Sequence, residues 1–294
     1  MSYLINHNNS RFSNSFEISG SKSESNRLLI LQSIYKNLKI DNLSNSDDTV
    51  VLNKYVNNLE EYIDIHHAGT AMRFLTALLS IKKNNEFIIT GSERMKNRPI
   101  KILVEALNDL GANISYKDKE GFPPLLIKGK EILGGEISLS SQISSQYISA
   151  LMLIAPILKK GLLINLEGKI TSKPYLDMTL SILKKIGVKC YFEKNIISIE
   201  PNSKVNDSLI SVESDWSSVS YFYSIVAMSK DSELEIGSFH EFSIQGDIKL
   251  SEIYTKLGVT TEFLKSSSKI LLKKTKNFVV PENIHLDLTE NPDI

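Results

Sequence analysis

Four stretches of the chain share one pattern of polar and apolar positions. Each opens on small or hydroxyl-bearing residues and runs into an apolar segment of helix length. They are SKSESNRLLILQSI, AGTAMRFLTALLSI, ISSQYISALMLIAP and DWSSVSYFYSIVAM. Small polar residues suit a helix N-terminus, because their oxygens cap backbone N–H groups that lack a partner inside the helix. Thr70 and Ser145 lie 75 positions apart, and Ser145 and Ser218 lie 73 apart. A second element recurs as RPIKILVEALNDLGANISY, KPYLDMTLSILKKIGVKCYF and IKLSEIYTKLGVTTEF. These read as helices stopped by Gly111, Gly187 and Gly258 at C′, each leading into a strand. Short β-rich runs, EFIITG, PPLLIKG, GEISLS and IISIEP, fill the gaps. The pattern predicts an α/β fold of repeated strand–helix units, with a period too long for ankyrin or TPR repeats.

Composition narrows the function. A chain of 294 residues, 41% of them apolar, can bury a sizeable core and is expected to form two domains. Lys+Arg and Asp+Glu balance at 34 each, so no net field favours nucleic acid or a membrane surface. The start MSYLINHNNSRF lacks the apolar core of a signal peptide. The longest apolar run, ISALMLIAPIL, is too short to span a bilayer and contains Pro156. A cytoplasmic protein without nucleic-acid or membrane partners is expected. Cys190 is the only cysteine, which excludes an intrachain disulfide. His66 and His67 are adjacent and would point apart, so no metal site is expected. Neither GxGxxG nor a Walker A pattern occurs, which argues against a dinucleotide or nucleoside triphosphate cofactor.

The candidate chemistry lies in misplaced cations. Lys22 and Arg27 fall in or near the first turn of one expected helix, and Arg73 near the start of another. Pro99 and Pro174 suit position N1, which sets Arg98 and Lys173 just before two more helix starts. A cation at the positive end of a helix dipole costs roughly 0.3–1 kcal/mol. A bound anion reverses that penalty, since it is held by free N–H groups and cations together. Ser23, Ser144, Ser145 and Ser172 would add neutral hydrogen bonds, and Ser23 and Arg27, at i and i+4, share a helix face. These residues point to a site for a small, multiply charged phosphate or carboxylate, and to no particular reaction.

Eight stretches, in order, resemble the 5-enolpyruvylshikimate-3-phosphate synthase family: GSKSESNR, AGTAMRFL, GSERMKNRPI, ISSQY, TSKPYLDMTL, VESDWSSVSYF, SIQGDI and NPDI. The resemblance implies transfer of the enolpyruvyl group of phosphoenolpyruvate to the 5-hydroxyl of shikimate 3-phosphate, releasing phosphate without metal or organic cofactor. It implies an α/β fold of βαβαββ units in two domains, the second incomplete. Residues 21–239 would form a complete three-unit domain, and residues 1–20 with 240–294 part of the second. By position, Lys22 would touch both substrates and be catalytic together with Asp293. Ser23, Arg27, Ser144, Ser145, Gln146, Ser172 and Tyr175 would hold shikimate 3-phosphate, and Gly69, Arg98 and Gln146 phosphoenolpyruvate. Asp293 would contact shikimate 3-phosphate and take the proton from its attacking hydroxyl, a role suited to a positioned carboxylate.

The family's later glutamate, arginines and lysine find no counterpart before Ile294. The chain is therefore expected to be a fragment that binds weakly and turns over negligibly by itself; a monomer is expected.

Some residues depart from the family pattern. His66-His67 stands where a Gly-Asn pair is usual, Ser19 and Phe74 replace common prolines, and Glu24 is compatible with a first helical turn. A related transferase acting on UDP-N-acetylglucosamine would need asparagine after the first lysine, where this chain has Ser23, and a reactive loop cysteine, whereas Cys190 sits in the strand-like VKCYF. A reading from another class is a non-catalytic anion-binding module of the same fold.

Overall fold

The computed structural model describes residues 11–141, 143–170, 172–288, 291 and 293. His7, Thr171 of TSKPY, and Pro292 and Ile294 of NPDI lie outside the described residues. In chain order, β1 (Arg11–Glu17) precedes α1 (Lys22–Ile34), β2 (Leu38–Asp41), α2 (Asp47–Asn57) and β3 (Tyr62–Asp64). Next come α3 (Gly69–Ser80), β4 (Glu86–Thr90), α4 (Glu93–Lys96), α5 (Lys101–Asp109), β5 (Ile114–Tyr116) and β6 (Leu125–Lys128). They are followed by β7 (Gly135–Ser140), α6 (Ser145–Ile154), β8 (Leu162–Glu167), α7 (Lys173–Lys185), β9 (Cys190–Glu193), β10 (Ile196–Ile199) and β11 (Ser208–Ser211). The last are α8 (Trp216–Met228), β12 (Asp231–Gly237), α9 (Leu250–Thr255), β13 (Val259–Leu264) and β14 (Lys269–Lys274).

Three four-stranded sheets share one plan: β3-β4-β6-β5, β7-β8-β10-β9 and β1-β12-β14-β13. In each, the first two strands are parallel and the other neighbours antiparallel. Parallel neighbours need a crossover, and α3 and α6 supply it in the first two sheets. The third takes β1 from the start of the chain and pairs it with β12, Arg11 against Asp231 through Glu17 against Gly237. The βαβαββ order that the family resemblance implies is thus present three times.

The chain divides into two compact units, Lys22–Val212 and Met1–Ser21 with Glu213–Ile294. The expected boundary at 239 is corrected by this division. β12 sits between β1 and β14, and α8 packs on β12 and β14, so the stretch from Glu213 to Gly237 belongs with β1. The expected third complete repeat of the larger unit is reduced to the parallel pair β11-β2. Ser23 and Thr70 are only 47 positions apart, and this shorter interval holds no hairpin after α2.

The larger unit is built around α1, α3 and α6, which pack on one another, with α7 against α1 and α6. A helix apolar on every side belongs in a core, and all twelve residues of α3 are buried. This brings the polar starts of these helices together. Gly111 and Gly187 end α5 and α7 at C′ with φ of 101° and 89°. Ala112 N–H donates to Leu107 O and Val188 N–H to Leu183 O, both 6→1 bonds that close the helix. Gly258 falls one position further on, because α9 ends at Thr255 and Leu257 takes C′. In the smaller unit Trp216, Val219, Tyr223 and Val226 of α8 pack on Leu234, Ile236, Ile270 and Leu272 of the sheet. No helix among the described residues is long and apolar enough to cross a membrane.

Candidate active site

Arg27 lies inside the helix cluster, 2% exposed. Its Nε donates to Thr179 Oγ1 at 2.8 Å and its Nη1 to Ser23 O at 2.8 Å. Nη2 donates to Ser149 Oγ at 3.1 Å and to Tyr175 O at 3.3 Å. The guanidinium also stands 5.6 Å from the Phe74 ring centre and 5.8 Å from that of Tyr175. Burial pushes its pKa down to about 10, opposed by Tyr175 and Glu24, so it remains cationic at neutral pH. Four of five donors already serve the protein. The expected i, i+4 relation to Ser23 is present, but it runs to the Ser23 carbonyl.

A second cationic centre stands at the start of α3. Arg73 Nη1 donates to Gly69 O at 2.7 Å. A Cβ built on Gly69 would sit 2.5 Å from Arg98 Nη1 and 2.9 Å from Arg73 Nη1, so both guanidiniums crowd this glycine. Burial lowers the Arg73 pKa, and the like charge of Arg98 lowers it further, while Tyr147 and Asp48 act in the other direction. Arg73 Nε is buried with no hydrogen-bond partner among the described residues. Two guanidiniums side by side repel unless an anion lies between or upon them. Asp48 does not fill that role through an ion pair: its Oδ1 accepts from Thr70 N–H at 2.8 Å, capping α3 from the start of α2.

The start of α6 adjoins that of α3, where Gln146 Nε2 donates to Thr70 Oγ1 at 3.5 Å. Ser144 is the N-cap of α6, its side chain accepting from Gln146 N–H, and Ser145 is buried. Ser172 precedes α7 in the left-handed region, φ 56°, and makes no side-chain cap bond. Lys22 is the first residue of α1, with an exposed side chain.

Two expected placements need correction. Pro99 does not open a helix: α5 begins at Lys101, and Arg98 N–H closes the preceding turn on Met95 O. Arg98 therefore reaches this cationic centre from a connecting segment. Lys173 is at a helix start as expected, yet its Nζ meets Asp177 Oδ2 at 2.6 Å and lies over Phe192, so its charge is matched locally.

The larger unit brings Ser23, Arg27 and Tyr175 into one cluster, and Gly69, Arg98 and Gln146 into a neighbouring one around α3. Asp293 belongs to the smaller unit, where its side chain is exposed. Arg73 carries as much of the second cluster as Arg98 does, and its place near a helix start was the signal for it. Ser149 and Thr179, which hold Arg27, gave none beyond lying four residues after Ser145 and Tyr175. His67 Nε2 lies 3.2 Å from Asp47 Oδ2, exposed at the start of α2. Cys190 lies on β9, where burial raises its thiol pKa and disfavours the reactive thiolate.

Repeated βαβαββ units, with cationic side chains gathered near helix starts, define the class as an α/β protein. The family model of EPSP synthase (3-phosphoshikimate 1-carboxyvinyltransferase) matches residues 36–291, and the chain belongs to that family. A 3-phosphoshikimate 1-carboxyvinyltransferase of Bacteroides fragilis is 43% identical over 280 residues, 95% of this chain and 67% of the relative. The enzyme of that name from Buchnera aphidicola subsp. Cinara cedri is 36% identical, over 88% of this chain and 65% of its own length. An EPSP synthase structure from Acinetobacter baumannii superposes with a TM-score of 0.77 at 20% identity, covering 96% of this chain and 70% of that one. The chain spans about two thirds of the length of these relatives. The family's reaction is transfer of a carboxyvinyl (enolpyruvyl) group to shikimate 3-phosphate.

Proposed function

We propose that the larger unit binds shikimate 3-phosphate and phosphoenolpyruvate for this enolpyruvyl transfer. The observation that carries the reading is the pair Arg73 and Arg98 at Gly69, a like-charge contact beside helix starts that a small polyanion would relieve. Arg27 holds its place through protein acceptors, so it supplies charge and at most one free N–H to shikimate 3-phosphate. Ser23, Ser144, Ser145, Ser172, Gln146 and Tyr175 complete that subsite, while Lys22 reaches both substrates from the start of α1. Gly69, Arg73, Arg98 and Gln146 take phosphoenolpyruvate. Asp293 is the general base for the attacking hydroxyl. Isothermal titration tests the reading: shikimate 3-phosphate should bind residues 1–294 and UDP-N-acetylglucosamine should not. Heat from the nucleotide sugar alone would overturn it.

Gly69→Ala should weaken phosphoenolpyruvate binding in the presence of shikimate 3-phosphate by roughly 1–3 kcal/mol. The added methyl meets two guanidinium nitrogens within 2.9 Å and must push them aside. Equilibrium dialysis with labelled phosphoenolpyruvate checks this, and affinity equal to the parent's would contradict the assignment of Gly69.

A further inference from the structure

After β14 the described chain from 275 to 288 forms no helix or strand, yet Asn291 is 1% exposed. A buried side-chain amide has to find partners inside the protein. Asn291 Nδ2 donates to Gly246 O at 2.9 Å and lies 3.5 Å from Asp247 Oδ1. Its own N–H donates to Leu288 O at 2.9 Å. Asp247 belongs to the 3₁₀ turn Gly246–Lys249 and is itself buried. Ser217 Oγ, on α8, donates to the other carboxylate oxygen at 2.6 Å. Asn291, the turn and α8 therefore meet at one carboxylate, that of Asp247.

We propose that Asn291 is a positioning residue, whose clasp on Gly246 and Asp247 fixes where Asp293, two residues on in the sequence, stands relative to Asp247. The catalytic meaning of this clasp rests on the reading of Asp293 as the base, but its geometry does not. Burial is the largest influence raising the Asp247 pKa, and the charges of Asp293 and Asp215 add to it. The bonds from Ser217 and Asn291 oppose that rise. Asp215 is itself held, its Oδ1 accepting from Ser218 N–H at 2.9 Å. Asp247 thus serves as a reporter of where Asp293 stands.

The test is a carboxyl-carbon NMR titration of Asp247 in residues 1–294 labelled with ¹³C-aspartate, the signal being assigned by its loss in Asp247→Asn. Asp293→Asn should lower the Asp247 midpoint, because a negative charge that raises it is removed. In an Asn291→Ala background the same Asp293→Asn change should leave the midpoint where it is. Trp216 fluorescence reports whether Asn291→Ala keeps the native unit, and Asn291→Leu, which keeps the volume without the donor, replaces it in the cycle if it does not. An Asp247 midpoint indifferent to Asp293→Asn overturns the proposal, as does an equal shift with and without the Asn291 side chain. The cycle needs neither substrate nor turnover, so its outcome is separate from whether Asp293 accepts a proton.

Discussion

Arg27→Ala is expected to weaken shikimate 3-phosphate binding by about 1.5–3 kcal/mol, a loss of one to two orders of magnitude. It should also lower the stability of the larger unit by about 2–4 kcal/mol. The guanidinium joins α1 to Ser149 on α6 and to Thr179 and Tyr175 on α7. Removing it empties the space against Phe74 and Tyr175. Part of the damage can heal, since Ser149 and Thr179 hydroxyls already lie 3.1 Å apart and Thr179 Oγ1 donates to Tyr175 O. The linkage sign follows from the depressed pKa. A cation whose folded pKa, about 10, lies below its unfolded value destabilises the fold fully below pH 10. That penalty fades as pH rises through the window between the two values. A bound polyanion offsets it at neutral pH, so ligand should stabilise the parent more than the variant. Arg27→Lys keeps charge without the planar fork, and should fall between parent and alanine. Calorimetric titration and urea unfolding read the two effects separately. Parent-like affinity in a folded alanine variant would remove Arg27 from the site.

Glu213→Ala should lower the stability of the smaller unit by about 3–5 kcal/mol. The Glu213 carboxylate is 7% exposed. Its Oε1 accepts from Trp216 Nε1 at 3.0 Å and His240 N–H at 2.9 Å. Its Oε2 accepts from Ser243 Oγ and, at 3.2 Å, from Gln245 Nε2. Gln245 in turn donates to Ser214 O and accepts from Trp216 N–H, so the network spans the start of α8 and the loop after β12. Alanine leaves the buried Trp216 Nε1 without its acceptor and loosens the hold on Gln245. Glu213→Gln keeps the volume but turns an amide N–H₂ toward donors, and should cost less than alanine and more than nothing. Trp216 is the only tryptophan, so its fluorescence follows this unit during urea unfolding. A midpoint unchanged by Glu213→Ala would contradict the network.

The helix starts at Ser145 and Trp216 were legible because cap residues and apolar runs are local signals. Ser144 and Asp215 cap those helices as such residues do. Arg98-Pro99 misled for the same reason. The dipeptide looks like a helix opening, but buried Met95 and the turn closed by Arg98 N–H delay α5 to Lys101. The pairing of Arg73 with Arg98 was hidden, since it depends on where the connection after α4 folds back over Gly69. Ser149 and Thr179 read as ordinary hydroxyls in mid-helix until Arg27 is placed between them. The boundary near 240 failed on a non-local fact, the parallel pairing of β12 with β1.

Hydrogen exchange of residues 1–294 with and without shikimate 3-phosphate tests the central claim most directly. A polyanion held by helix starts should slow exchange of the backbone amides at residues 22–27, 69–73, 144–147 and 172–175, and leave strands β13 and β14 unchanged. Protection confined to other segments, or none at saturating ligand, would contradict a site built from those helix ends.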